Sequence, residues 1–258
     1  MKLALMLAAL SAAVISTSAS AGTVVVNDVS GFPTATTWGT YPGENSGGGT
    51  AAVTTAAARS GNGSLEMRGD RTRSQLGIQY AFGRTDIGAL SAVTGLTFDW
   101  RIAGDSTNPY NVDYTPALRL LILDGGTRKE LVWEGAYNNV YGPQTDPDTW
   151  YSSTTADKFY LGVGNENAGQ SIAAWASQLT GARVLGFSVG VGSGATTGYH
   201  AFADNVTFTT TGGGTTYNFE AAGAVPEPAS WAMMIVGVGG IGGALRRKRK
   251  VSTTVAFA

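Results

Sequence analysis

Hydrophobic residues along most of this chain recur with a period of two. Gln75 to Phe82 alternates, and so does Leu96 to Ile102, where Leu96, Phe98, Trp100 and Ile102 are separated by Thr97, Asp99 and Arg101. Successive side chains of an extended backbone point to opposite faces, so alternation of this kind marks a half-buried strand. The same reading places strands at Thr23–Val29, Ala51–Ala57, Ser64–Arg68, Ala117–Leu123, Lys129–Trp133, Lys158–Val163, Val184–Val191 and Ala201–Thr209, with Thr216–Glu220 as a last edge strand. Asp124-Gly125-Gly126 between two of them is a hairpin-type turn. Only Ser171–Leu179 has helical spacing, with Ile172, Trp175, Ala176 and Leu179 on one face. Short strands divided by Gly, Asn and Asp turns predict an all-β fold, an antiparallel two-sheet sandwich with one short helix.

The two ends break the pattern. Leu3 to Ile15 is apolar except for Ser11, follows Met1-Lys2 and precedes Ala19-Ser20-Ala21. That arrangement predicts a signal peptide over residues 1–21, read by the Sec translocon and cleaved before Gly22. At the other end Val225-Pro226-Glu227-Pro228 leads to Trp231, an apolar stretch from Ala232 to Leu245, and the cations Arg246, Arg247, Lys248, Arg249 and Lys250. Two prolines hold the approach extended, Trp231 sits where an interfacial anchor belongs, and the cations keep the far side in the cytoplasm. A single transmembrane helix is therefore expected, with 251–258 as a short cytoplasmic tail. A domain over 22–210 and a linker or edge strand over 211–224 complete the division.

The tail carries a specific resemblance. Pro226-Glu227-Pro228-Ala229-Ser230-Trp231-Ala232-Met233-Met234-Ile235, a Gly-rich span and a basic cluster together resemble the PEP-CTERM sorting signal. The same tail is sometimes labelled an ice-binding protein C-terminal domain, which gives no ground for antifreeze activity. Val251–Ala258 extends past the point where many members stop. The resemblance implies recognition by an exosortase, a membrane peptidase or transpeptidase. It also implies export in a Gram-negative bacterium that makes exopolysaccharide or biofilm. The inner membrane would be a transient station before the cell surface or extracellular matrix. Within the body, Ser60-Gly61-Asn62-Gly63-Ser64-Leu65-Glu66-Met67, Phe98-Asp99-Trp100 and Ala201-Phe202-Ala203-Asp204-Asn205-Val206-Thr207-Phe208 resemble the opening, central and closing strands of jelly-roll carbohydrate-binding domains. This implies a jelly-roll sandwich, and fold alone does not give function.

Composition removes several chemistries. The 258 residues include no cysteine and one histidine, His200, which excludes disulfides, cysteine nucleophiles, zinc–thiolate sites and multi-histidine metal centres. With 17 basic and 18 acidic residues the chain lacks the surplus of a nucleic-acid binder. Residues 22–225 hold 11 basic and 17 acidic residues, a net of −6. That balance is compatible with cation binding and disfavours electrostatic capture of an acidic polysaccharide.

Three sets of residues could carry chemistry. In the resembled domains an Asp near the closing strand often helps hold a structural calcium, which Asp204 would do here, joined by Asp28 if the terminal strands pair. Alternatively Asp204 simply accepts backbone N–H bonds at a strand entry. Trp133, Tyr137, Tyr141 and Trp150, with Tyr151, fall in one segment whose loop, Gly135–Thr155, is long and polar. Such rings could stack on a sugar or pack under the loop, whereas Trp100 and Trp175 are expected in the core. Glu130 and Glu134 share strand parity and, with Asp99, could supply the acid pair of a glycoside hydrolase, while His200 is expected at the surface. The leading expectation is a non-catalytic extracytoplasmic module of the envelope or biofilm matrix that binds polysaccharide. The alternatives are a glycan-active hydrolase or lyase, and a purely structural matrix protein.

Overall fold

The computed structural model describes residues 21–107, 114–192 and 194–223, and in the tail only Ile235 and Ala256. The described strands form two sheets of seven. The first contains β1 (Gly22–Val26), β3 (Thr50–Thr54), β4 (Ser64–Arg68), β7 (Val93–Ile102), β10 (Tyr151–Ser152), β13 (His200–Thr210) and β14 (Gly213–Phe219). The second contains β2 (Trp38–Gly39), β5 (Thr72–Gly77), β6 (Gly88–Ala89), β8 (Ala117–Asp124), β9 (Thr127–Trp133), β11 (Tyr160–Leu161) and β12 (Arg183–Val191).

Chain order interleaves the sheets. Across the first sheet run β4, β13, β7 and β10; across the second run β5, β12, β8 and β9. Neighbours within each set pair antiparallel, and the chain crosses between the sheets at β4–β5, β7–β8 and β12–β13, the order of a jelly-roll-like sandwich. Strand β13 is the hinge of the first sheet. His200–Ala203 pairs with β4 and Val206–Thr210 with β14, so two strands lie end to end along one of its flanks. Beyond β14 lies β1, in a parallel pair.

The period-two pattern explains the core. Leu96, Phe98, Trp100 and Ile102 of β7 all face inward, as do Leu118, Leu120 and Ile122 of β8 and Leu131 and Trp133 of β9. Trp133 meets Phe98 edge to face at 5.1 Å between ring centroids. Helix α1 (Ile172–Gln178) begins where Ser171 Oγ accepts from the Ala174 N–H, and Ile172 and Trp175 pack into the same core. Trp175 Nε1 donates to the Phe159 carbonyl at 2.6 Å.

The differences from expectation have local causes. The strand expected over Gln75–Phe82 ends at Gly77, whose φ is +86°. A Cβ there would lie 2.2 Å from the Leu185 carbonyl oxygen, so only glycine fits. The chain leaves β5 at this point, with Ile78 and Gln79 buried. The Lys158–Val163 strand shrinks to two residues, bounded by Gly162 and Gly164 at positive φ. The segment expected as linker or edge strand is neither: β14 is flanked by β13 and β1. The two-residue strands β2, β6 and β10 are too short to show a period. Among the described residues no helix is long and apolar enough to cross a membrane. The signal peptide expected over 1–21 lies outside the described residues apart from Ala21, and the apolar span from Ala232 does so apart from Ile235.

Candidate functional site

The outward face of the second sheet carries a groove of about 860 Å³, within the range that holds small ligands. Each strand contributes through its outward parity. Strand β5 supplies Arg73, β8 supplies Arg119, β9 supplies Glu130 and Val132, and β11 supplies Tyr160, while Glu134 continues the extended chain one residue past β9. Tyr137 and Tyr114 close one end, and Arg128 and Lys129 lie at the hairpin end. That hairpin turns through Gly125 and Gly126, both at positive φ, and Lys129 Nζ holds Asp124 at 2.6 Å.

Arginines organise the floor. Glu130 accepts from Arg73 Nη1 on Oε1 at 2.8 Å and from Nη2 on Oε2 at 3.2 Å, and Arg119 Nε lies 3.8 Å from the same Oε2. Burial works against the Glu130 carboxylate, but Arg73 and Arg119 outweigh it and hold its pKa below the usual range. Buried Glu44 takes Arg71 at 3.1 Å, Arg73 at 3.4 Å and the Tyr80 hydroxyl. Glu134 has the opposite fate. Burial pushes its carboxyl up, only partly opposed by Arg119 and by a hydrogen bond from Tyr160. Burial and Glu134 together push the Tyr160 phenol up.

The expected aromatic platform is divided. Trp133 is a core residue, 1% exposed, and its Nε1 donates to Asp157 at 2.8 Å. A strand residue of inward parity cannot offer its face to a ligand. Tyr137 lines the groove, 41% exposed, with its ring edge-on to Tyr160 at 5.4 Å. Tyr141 is exposed but outside the groove lining. Trp150 packs with Phe202, Ala57 and Ala103 on the other sheet, under the Arg59 guanidinium. The Gly135–Thr155 segment crosses from one sheet to the other, which is why its rings separate. Near the groove Asn138 ties it to Lys158 and Glu134; farther on, Asp148 takes Arg101 and the Gly104 N–H, and Tyr151 stacks on Trp100.

Glu130 and Glu134 do share one face, whereas Asp99 lies on the first sheet with Arg59, Ser152 and Asn205. His200 is buried instead of exposed, between Asp105 at 2.5 Å and Glu66 at 3.0 Å. Asp28 and Asp204 share no hydrogen-bond partner. Asp28 turns to Ser30 at the surface. Asp204 is fully buried where β4 and β14 meet, accepting from Ser60, Asn205 and Phe219 N–H groups. The acid beside it is Glu220, which takes the Asn62 N–H of the same loop and the Asn218 amide. Burial first, then Glu220, raises the Asp204 pKa to about 7. Among the described residues no three acidic, His or Cys side chains gather as a metal centre.

Sequence reasoning missed Arg73, Arg119, Tyr114 and Tyr160. One signal was available: Arg119 is the lone charge inside the apolar run Ala117–Leu123.

Residues 224–250 match the model of the PEP-CTERM protein-sorting motif. The chain carries a PEP-CTERM sorting signal. That signal implies exosortase-dependent export and an envelope or surface destination, and it contains Pro226, Glu227, Pro228, Trp231 and the basic cluster, whose structure lies outside the described residues. No curated protein matches the chain. A solved structure from work on the promiscuous specificity of carbohydrate-binding modules of the β-sandwich superfamily is similar at 14% identity and a TM-score of 0.32. The likeness covers 67% of this chain, which spans 56% of that one.

Proposed function

We propose that this PEP-CTERM protein is a non-catalytic module of the envelope or biofilm matrix, and that it binds a glycan in the groove of its second sheet. The observation that carries the reading is the groove itself. Tyr114, Tyr137 and Tyr160 line it, with Tyr137 the exposed ring, beside Glu134 and guanidinium donors. Sugars are held by apolar contact of this kind with directional hydrogen bonds beside it. Calcium belongs to the proposal at the strand junction, away from the groove. Asp204 and Glu220 address one loop there, and Asn62 Oδ1 and Asn218 Oδ1 are buried acceptors without partners among the described residues. Oxygens of this type suit a hard cation.

A second reading, hydrolysis, has one observation in its favour. Neighbouring environments push Glu130 and Glu134 in opposite directions, as acid–base pairs require. The geometry favours binding instead. Four residues along a strand separate the two Cα atoms by about 13 Å, and Glu130 is spent on Arg73.

The test is a glycan array probed with the full chain in detergent, with calcium and with chelator. Retention without turnover is expected. Tyr137→Ala, at an exposed position, should weaken the retained glycan about tenfold, or ~1.4 kcal/mol. A blank array from folded protein would leave the structural reading, and cleavage lost with Glu134→Gln would establish the enzyme.

A further inference from the structure

Charge at the groove runs against charge in the rest of the domain. Residues 22–225 carry a net of −6, yet five cations and three carboxylates line this surface. The pairing is incomplete. Two carboxylates, Glu44 and Glu130, serve three guanidiniums, Arg71, Arg73 and Arg119. Arg128 stacks over Tyr80 at 4.7 Å and joins no ion pair among the described residues.

Arg119 stands out. It is 6% exposed, and its Nη1 is buried with no hydrogen-bond partner among the described residues. Among the described residues its one ion pair, through Nε to Glu130, is long at 3.8 Å, and none joins it to Glu134. A buried donor left unpaired is destabilising, and more so when it is charged. An apolar side chain at this strand position would avoid that cost. The planar guanidinium is suited to a carboxylate, which it can meet with two parallel N–H bonds.

We infer that the ligand is an acidic saccharide, and that Arg119, supported by Arg128, grips a uronate carboxylate in the groove. This rests on the glycan-binding reading and narrows it to a substrate class. Cations in a cleft walled by protein attract an anion more strongly than the same cations on an open surface. The overall acidic balance therefore does not repel an acidic chain from this face. Glu134, held toward its neutral form by burial, does not cancel the field and can donate to a sugar oxygen.

The experiment titrates the full chain in detergent with galacturonate, glucuronate and mannuronate oligomers, each beside its carboxyl-reduced counterpart of equal length. The inference predicts that at least one acidic oligomer binds about tenfold or more tighter than its reduced form, a difference of ~1.4 kcal/mol. Arg119→Met should abolish the difference. Arg128→Ala, at a position away from the core, should shrink it, and serves alone if Arg119→Met does not fold. Equal binding of acidic and reduced oligomers overturns the inference and leaves the groove as a neutral-glycan site. An acidic preference indifferent to both substitutions also overturns it. Binding of no oligomer and no array glycan removes the glycan reading together with the inference.

Discussion

Glu130 on the outward face of β9 and Glu134 just past its end show how one extended stretch gives two carboxyls opposite characters. Glu130 lies between guanidiniums and stays ionised, whereas Glu134, four positions on, loses more to burial than Arg119 and Tyr160 return. A carboxyl raised in the folded state holds its proton while the unfolded chain has already lost it. Its contribution is thus fully present below the ordinary Glu value of 4.5 and is lost as pH rises through the folded value. Thermal melts against pH should show stability falling above pH 4.5 through this group together with Asp204, raised to about 7, with Glu134→Gln removing part of that fall. An unchanged slope in the variant would place the titration elsewhere. The sequence showed Glu130 and Glu134 on one face, because parity is local. It did not show the arginines beside them, which come from β5 and β8 and meet β9 only across the sheet. Trp133 misled for the same reason that Glu134 did not. Inward and outward positions alternate, and the platform reading grouped residues by proximity in the chain and ignored their parity.

Elements with a full strand of alternation were legible, and those ended by backbone conformation were not. Strand β4 has the bounds its residues predict, and β8, β9, β12 and β13 differ only at their ends. Strand β5 differs because Gly77 takes positive φ against the Leu185 carbonyl, and an alternating pattern cannot report a φ angle. The turn matters to the site, since the segment it releases carries Tyr80, which stacks under Arg128 and bonds Glu44. Gly77→Ala should cost about 1–3 kcal/mol from backbone strain alone, read as a lowered midpoint in urea. It should also weaken glycan binding without touching any groove residue. Wild-type stability in that variant would contradict the steric account of where β5 ends.

At the scale of the whole molecule, sequence and structure divide the labour. The C-terminal end was legible as an address because charge, hydrophobic length and proline order survive without tertiary context, and the PEP-CTERM motif at 224–250 accords with that. The sandwich was legible as a class, while its strand order and its groove depend on pairings between distant segments. Only the folded sheet brings Arg73, Arg119, Glu134 and Tyr160 to one surface. The central claim is that this surface holds the glycan. Hydrogen–deuterium exchange of the full chain, with and without its best-binding oligosaccharide, tests it most directly. If the groove holds the glycan, exchange slows in β8, β9, Gly135–Asn138 and β11, with the first sheet unchanged. Protection confined to the first sheet, or to the Asp146–Ser152 stretch beside it, would contradict it.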